Sequence, residues 1–85
     1  YNAIEVYPNP TRGDFAIRFT DLQTSNMVVR IFNLAGKLVY QEDINLDGTN
    51  NQYPIESLSL KPGIYMVDVR DNKTKPVGLQ RLIVK

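Results

Sequence analysis

The chain has 85 residues and a formal net charge of +1, with 42% apolar residues, no cysteine and no histidine. That length suits one small domain, and the near-neutral charge argues against a dedicated nucleic-acid binder, which needs a strong basic excess. Without histidine or cysteine there is no Ser-His-Asp or Cys-His nucleophile, no cysteine or histidine zinc site and no disulfide, so packing alone must hold the core.

Apolar residues alternate with a period of two almost throughout, the signature of half-buried strands. Expected strands cover roughly residues 3–7, 14–20, 27–33, 37–44, 51–55, 63–70 and 78–84. The first is followed by Tyr7-Pro8-Asn9-Pro10 and Gly13. Two prolines remove backbone donors there, so this link cannot lie inside a ladder and reads as a crossover between strands, with passage from one sheet to the other as an open option. In the second strand Phe15, Ile17 and Phe19 share a face opposite Ala16, Arg18 and Thr20. In the third, Met27, Val29 and Ile31 share a face, and Arg30 stands between Val28 and Phe32 on the other.

Asn33 to Gly36 then supplies turn chemistry, with Gly36 expected in a left-handed conformation that closes a hairpin to the strand at 37–44. Pro62-Gly63 suits the corner of a type II turn. Tyr65, Val67 and Val69 share one face of the following strand. The last strand is apolar on both faces near its end, so its register is less well defined, and its edge is expected to offer unpaired backbone groups.

Charge is uneven. Residues 41–60 carry Glu42, Asp43, Asp47 and Glu56 with no Lys or Arg, whereas residues 70–85 carry Arg70, Lys73, Lys75, Arg81 and Lys85 against Asp71. Ordinary solvated strand faces explain this, as does a basic edge that steers toward an acidic partner. Glu42 and Asp43 are adjacent on a strand and point to opposite faces, so they do not converge as a catalytic pair. Asp47 to Asn51 has oxygen ligands at short spacing but lacks the rest of a calcium loop, and reads as a turn. Tyr7, Tyr40 and Tyr53 are candidates for exposed aromatics. No apolar run approaches the ~20 residues of a membrane-spanning helix. Residue chemistry alone gives an all-β sandwich or barrel without an active site, a cofactor or a metal.

The ordered motifs add a resemblance. Tyr7-Pro8-Asn9-Pro10 with Gly13, Val29-Arg30-Ile31-Phe32-Asn33 with Gly36-Lys37, Leu60 with Pro62-Gly63-Ile64-Tyr65 and Val67-Asp68-Val69, and a closing Leu82-Ile83-Val84-Lys85 together resemble the C-terminal sorting domain, type A, of the type IX (Por) secretion system of Bacteroidetes. Each motif is weak alone; their order over the whole chain is specific. The resemblance implies an immunoglobulin-like antiparallel β-sandwich of about seven strands, Greek-key type, with residues 1–85 forming a single C-terminal sorting domain excised from a larger secreted protein.

It further implies a non-catalytic signal without cofactor. A cargo domain would precede it in the same chain. After passage through the periplasm it would be recognised by the outer-membrane translocon, then typically cleaved by a sortase-like peptidase, leaving the cargo at the cell surface or secreted. No nucleic acid and no stable membrane insertion are expected, and an edge-strand dimer is possible. The signal-motif residues carried over, either structural or translocon-contacting, are Pro8, Asn9, Pro10, Gly13, Gly36, Gly63, Tyr65, Val67, Val69, Leu82, Val84 and Lys85. The sorting reading expects Lys85 to be the last residue of the parent. The competing reading is a carbohydrate-binding or fibronectin-like accessory module of an extracellular enzyme, using Tyr40 and Tyr53 to stack on sugars.

Overall fold

Among the described residues, seven strands turn alternate side chains into one core. The computed structural model describes residues 3–20, 26–46, 51–56 and 58–85. The strands are β1 (Ile4–Tyr7), β2 (Phe15–Phe19), β3 (Asn26–Asn33), β4 (Leu38–Asn45), β5 (Gln52–Ile55), β6 (Gly63–Asp71) and β7 (Pro76–Val84). Each falls within two residues of its expected bounds. Of the turn signals at 21–26 and 47–51, residues 21–25 and 47–50 lie outside the described residues.

Two antiparallel sheets face each other, one in the order β1-β2-β5 and the other β4-β3-β6-β7. The connections β2 to β3, β4 to β5 and β5 to β6 pass from one sheet to the other, so β3 pairs with β4 and β6 but not with β2. This is the over-and-back connectivity of an immunoglobulin-like Greek-key sandwich.

The period-two pattern sets which side chains fill the interior. From the three-stranded sheet come Ile4, Val6, Phe15, Ile17, Phe19 and Ile55; from the other come Met27, Val29, Ile31, Ile44, Tyr65, Val67, Val69, Leu82 and Val84. A one-residue slip of any strand would turn this set outward, so burial itself fixes the register. Burying each such side chain contributes about 1.5–3 kcal/mol. Tyr65 adds a polar anchor: its ring is buried and its hydroxyl donates to the Lys61 carbonyl, 2.6 Å away. A tyrosine bonded back to the chain a few residues upstream pins the entry into its strand, as in other immunoglobulin-like sandwiches.

Three local expectations need comment. The Asn33–Lys37 hairpin forms as expected: Gly36 has φ of 83°, its N–H donates to the Asn33 carbonyl (2.9 Å), and Asn33 Oδ1 accepts from the Lys37 N–H (2.9 Å). Pro62-Gly63, by contrast, does not form a type II corner. Gly63 has φ of 159°, close to extended, and pairs with Val84 as the first residue of β6. Cross-strand pairing has drawn the glycine into the ladder. The Pro8–Asp14 link, finally, is no crossover between sheets, because β1 and β2 are antiparallel neighbours in one sheet. It crosses the gap differently, by leaning on β7 of the other sheet.

Candidate functional site at the corner of the first motif and the terminal strand

The outer edge of β7 is not bare. Asn9, between Pro8 and Pro10, turns its side-chain amide onto β7: Nδ2 donates to the Arg81 carbonyl (2.6 Å) and Oδ1 accepts from the Ile83 N–H (3.0 Å). A primary amide has the donor and acceptor of a peptide group, so Asn9 occupies the place that a neighbouring strand would take. Two residues on, the backbone takes over. The Thr11 N–H donates to the Ile83 carbonyl and the Lys85 N–H donates to the Thr11 carbonyl, each at 2.8 Å. Thr11 thereby makes a parallel bridge with Val84. At the other end of the segment the Ala3 N–H donates to the Val77 carbonyl (3.0 Å).

The expectation of an open terminal edge is therefore corrected. Backbone groups of Arg81, Ile83 and Lys85 are already bonded, by partners more than 70 positions earlier in the chain.

Thr11 holds the corner from within. It is 2% exposed, the one buried polar residue among those described. Its hydroxyl is satisfied twice, donating to the Asp14 carbonyl (2.6 Å) and accepting from the Gly13 N–H (3.1 Å). Burying a hydroxyl is tolerable only with such partners. Gly13 closes the turn with φ of 140°, a conformation that side chains disfavour. Both Tyr7-Pro8 and Asn9-Pro10 peptide bonds are cis. The surface that results presents Pro8, Asn9, Pro10 and Arg12 beside exposed Arg81 and Lys85. A shallow cleft of about 530 Å³ between Pro8, Pro10, Gly13, Asp14 and Leu58 continues it.

The signal-motif residues thus separate into two groups. Pro8, Asn9, Pro10, Gly13 and Lys85 meet at this corner. Tyr65, Val67, Val69, Leu82 and Val84 are buried in the core, Gly36 sits in the β3–β4 hairpin, and Gly63 begins β6. Thr11 escaped sequence reasoning, although a threonine two residues before glycine is a local turn signal.

A second cluster lies on the opposite flank. Tyr40 on β4 and Tyr53 on β5 both donate hydroxyl hydrogen bonds to the carboxylate of Glu42, tying the two sheets together. Burial, then the bond to Glu42, pushes the Tyr40 hydroxyl up to about 12. Tyr53 is raised as well, first by its bond to Glu42 and then by burial. Both rings are half-buried against the core. Tyr7 is covered by the Arg18 guanidinium, 4.8 Å from its ring centroid. The three tyrosines therefore do not form the free stacking platform that a sugar-binding face requires. Among the described residues no group of three or more Asp or Glu is placed to hold a metal ion.

An immunoglobulin-like sandwich with a proline-rich link bonded to its last strand defines a small β module with no catalytic constellation among its described side chains. Residues 5–85 match the secretion system C-terminal sorting domain, and the chain belongs to that family. It is 34% identical over 83 residues to an ulvan lyase from Nonlabens ulvanivorans, a match that covers 96% of this chain and 14% of that protein. The chain thus spans about one-seventh of that relative's length. Among solved structures it resembles PorZ, described as an essential bacterial surface component of the type-IX secretion system of Porphyromonas gingivalis. The TM-score is 0.67 at 26% identity, covering 96% of this chain and 11% of that one. An immunoglobulin-like β-sandwich protein from Bacteroides vulgatus shares the fold, with a TM-score of 0.69 at 18% identity, covering 99% of this chain and 85% of the other.

Proposed function

We propose that this domain is the export tag of a longer secreted protein. It is read by the type IX translocon as a folded shape, so that the cargo ahead of it crosses the outer membrane to the cell surface or the medium. Transit through the periplasm and later removal by a sortase-like surface peptidase belong to the same reading. In it, Pro8, Asn9, Pro10, Gly13 and Lys85 are the residues that face the translocon, and the other motif residues maintain the fold that presents them.

The observation that carries this reading is the corner itself. Family-motif segments from opposite ends of the chain are joined by the Asn9 amide and the Thr11 backbone. A signal built this way exists only once the domain has folded. A linear tail would not need asparagine at one specific place 74 residues from its bonding partner.

The test is a reporter with a Sec signal placed ahead of residues 1–85 in a host that carries the type IX pathway. The reporter is expected at the cell surface or in the medium, and removal of Leu82 to Lys85 is expected to leave it in the periplasm. Periplasmic retention of the intact fusion, or unchanged export after the deletion, would contradict the proposal.

A further inference from the structure

The two outer faces of the sandwich differ in how their charges are matched. On the three-stranded sheet, Arg18 meets Glu5 at 3.5 Å and lies over the Tyr7 ring. On the four-stranded sheet the outward rows are apolar around a charged centre. Phe32 stands opposite Met66, Ile64 opposite Ile83, and Arg30 between Gln41 and Asp68. Leu79 continues the Arg30–Asp68 row and is 53% exposed.

Arg30 makes no ion pair among the described residues. Its register neighbour Asp68 accepts from Arg70 Nε at 3.2 Å instead, and Arg70 also donates to the Thr74 carbonyl at 3.1 Å. Arg30 Nε is buried with no hydrogen-bond partner among the described residues. The covered Nε costs stability and is closed to a partner, so it is the terminal nitrogens of the half-buried guanidinium that the groove lining offers. The outward charges of this face are Arg30, Arg70 and Arg81 against Asp43 and Asp68, an excess of cations. A groove of about 410 Å³ runs between Arg30, Phe32, Asp68, Arg70, Thr74 and Leu79.

We infer that this groove docks a protein segment of the export machinery that presents a carboxylate flanked by apolar side chains. Arg30 pairs with the carboxylate, and Phe32 and Leu79 bury its neighbours. The inference rests on the sorting reading above and adds a second contact surface, away from the corner. Charge complementarity selects an anionic occupant. A fork of N–H donors set among apolar side chains favours a planar carboxylate within a protein surface. Apolar side chains around a desolvated charge pair are the usual setting of an interface anchor.

The inference separates function from stability in a way that a structural role for Arg30 would not. Arg30→Met removes an unbonded buried donor and keeps apolar bulk, so its urea midpoint should equal or exceed that of the wild type. Reporter export by the same variant should fall at least tenfold. Leu79→Ser changes a largely exposed side chain, and should also reduce export severalfold at an unchanged midpoint. Flotation with phosphatidylglycerol vesicles should show no binding by either the wild type or Arg30→Met. Export of both variants at wild-type levels overturns the inference while leaving the sorting reading intact. A lowered midpoint for Arg30→Met overturns it in favour of a structural role, and vesicle binding that depends on Arg30 overturns it in favour of a lipid surface. If the wild-type chain itself fails to export the reporter, the sorting reading falls and this inference falls with it.

Discussion

The four-stranded sheet has two edges, and they are finished in different ways. At β7 the backbone is bonded: Asn9 and Thr11 supply peptide-like partners to Arg81, Ile83 and Lys85. At β4 no backbone hydrogen bond among the described residues reaches the outer side. What holds that flank is side-chain chemistry, with Tyr40 and Tyr53 meeting on Glu42. Only the first arrangement closes an edge to a further strand, because only it consumes the groups on which pairing depends. The comparison therefore moves any strand-pairing partner, including a second copy of the chain, away from the terminal strand and toward β4.

The largest effect is expected where a strand of this sheet faces the core, and almost none where it faces solvent. Leu82 is fully buried on β7, so Leu82→Ala should lower stability by about 2–5 kcal/mol in urea unfolding. Val39→Ala, on the solvent-facing side of β4, should stay within about 0.5 kcal/mol of the wild type. Comparable losses at both positions would erase the distinction. Next in size is Asn9→Ala, which removes two hydrogen bonds and should cost about 1–3 kcal/mol. Its specific mark is faster amide exchange at Ile83 with no change along β4.

The hairpin that leads into β4 should respond more weakly. Gly36→Ala places a Cβ in open space, so only the left-handed backbone penalises it, by roughly 1 kcal/mol.

The smallest effect is confined to alkaline solution. Tyr40 has its hydroxyl pushed up to about 12 in the folded chain, against the ordinary value of 10.0. A folded value above the unfolded one means that the neutral hydroxyl stabilises the fold fully below pH 10, and that this contribution is lost as pH rises from 10 toward 12. A pH series of urea midpoints should show that decline in the wild type and a flatter profile in Tyr40→Phe, whereas Asn9→Ala should keep the wild-type slope.

How much of this was legible in the sequence follows from the range of each interaction. Strands such as Phe15–Phe19 and Gly63–Asp71 declare themselves because neighbouring residues alternate between core and surface, a purely local pattern. The last strand was ambiguous for a physical reason: Leu82 and Val84 face the core, while Leu79 and Ile83 lie on an outer face that is itself apolar. Gly63 misled because a Pro-Gly pair favours a corner only when nothing competes, and pairing with Val84 competes.

The corner was half legible. Proline and glycine marked the link, but no local signal reveals that the Asn9 amide finds Arg81 and Ile83. The role of Glu42 as a shared acceptor has no local signal, since one of its two hydroxyl partners arrives from β5 across the sandwich.

Reporter export by the Asn9→Ala variant, measured at a temperature where its fold is intact, tests most directly whether the joined corner is what the translocon reads. The wild-type chain should deliver the reporter to the cell surface, and the variant should leave most of it in the periplasm. Equal surface delivery by both would show that the corner maintains the fold without serving as the signal.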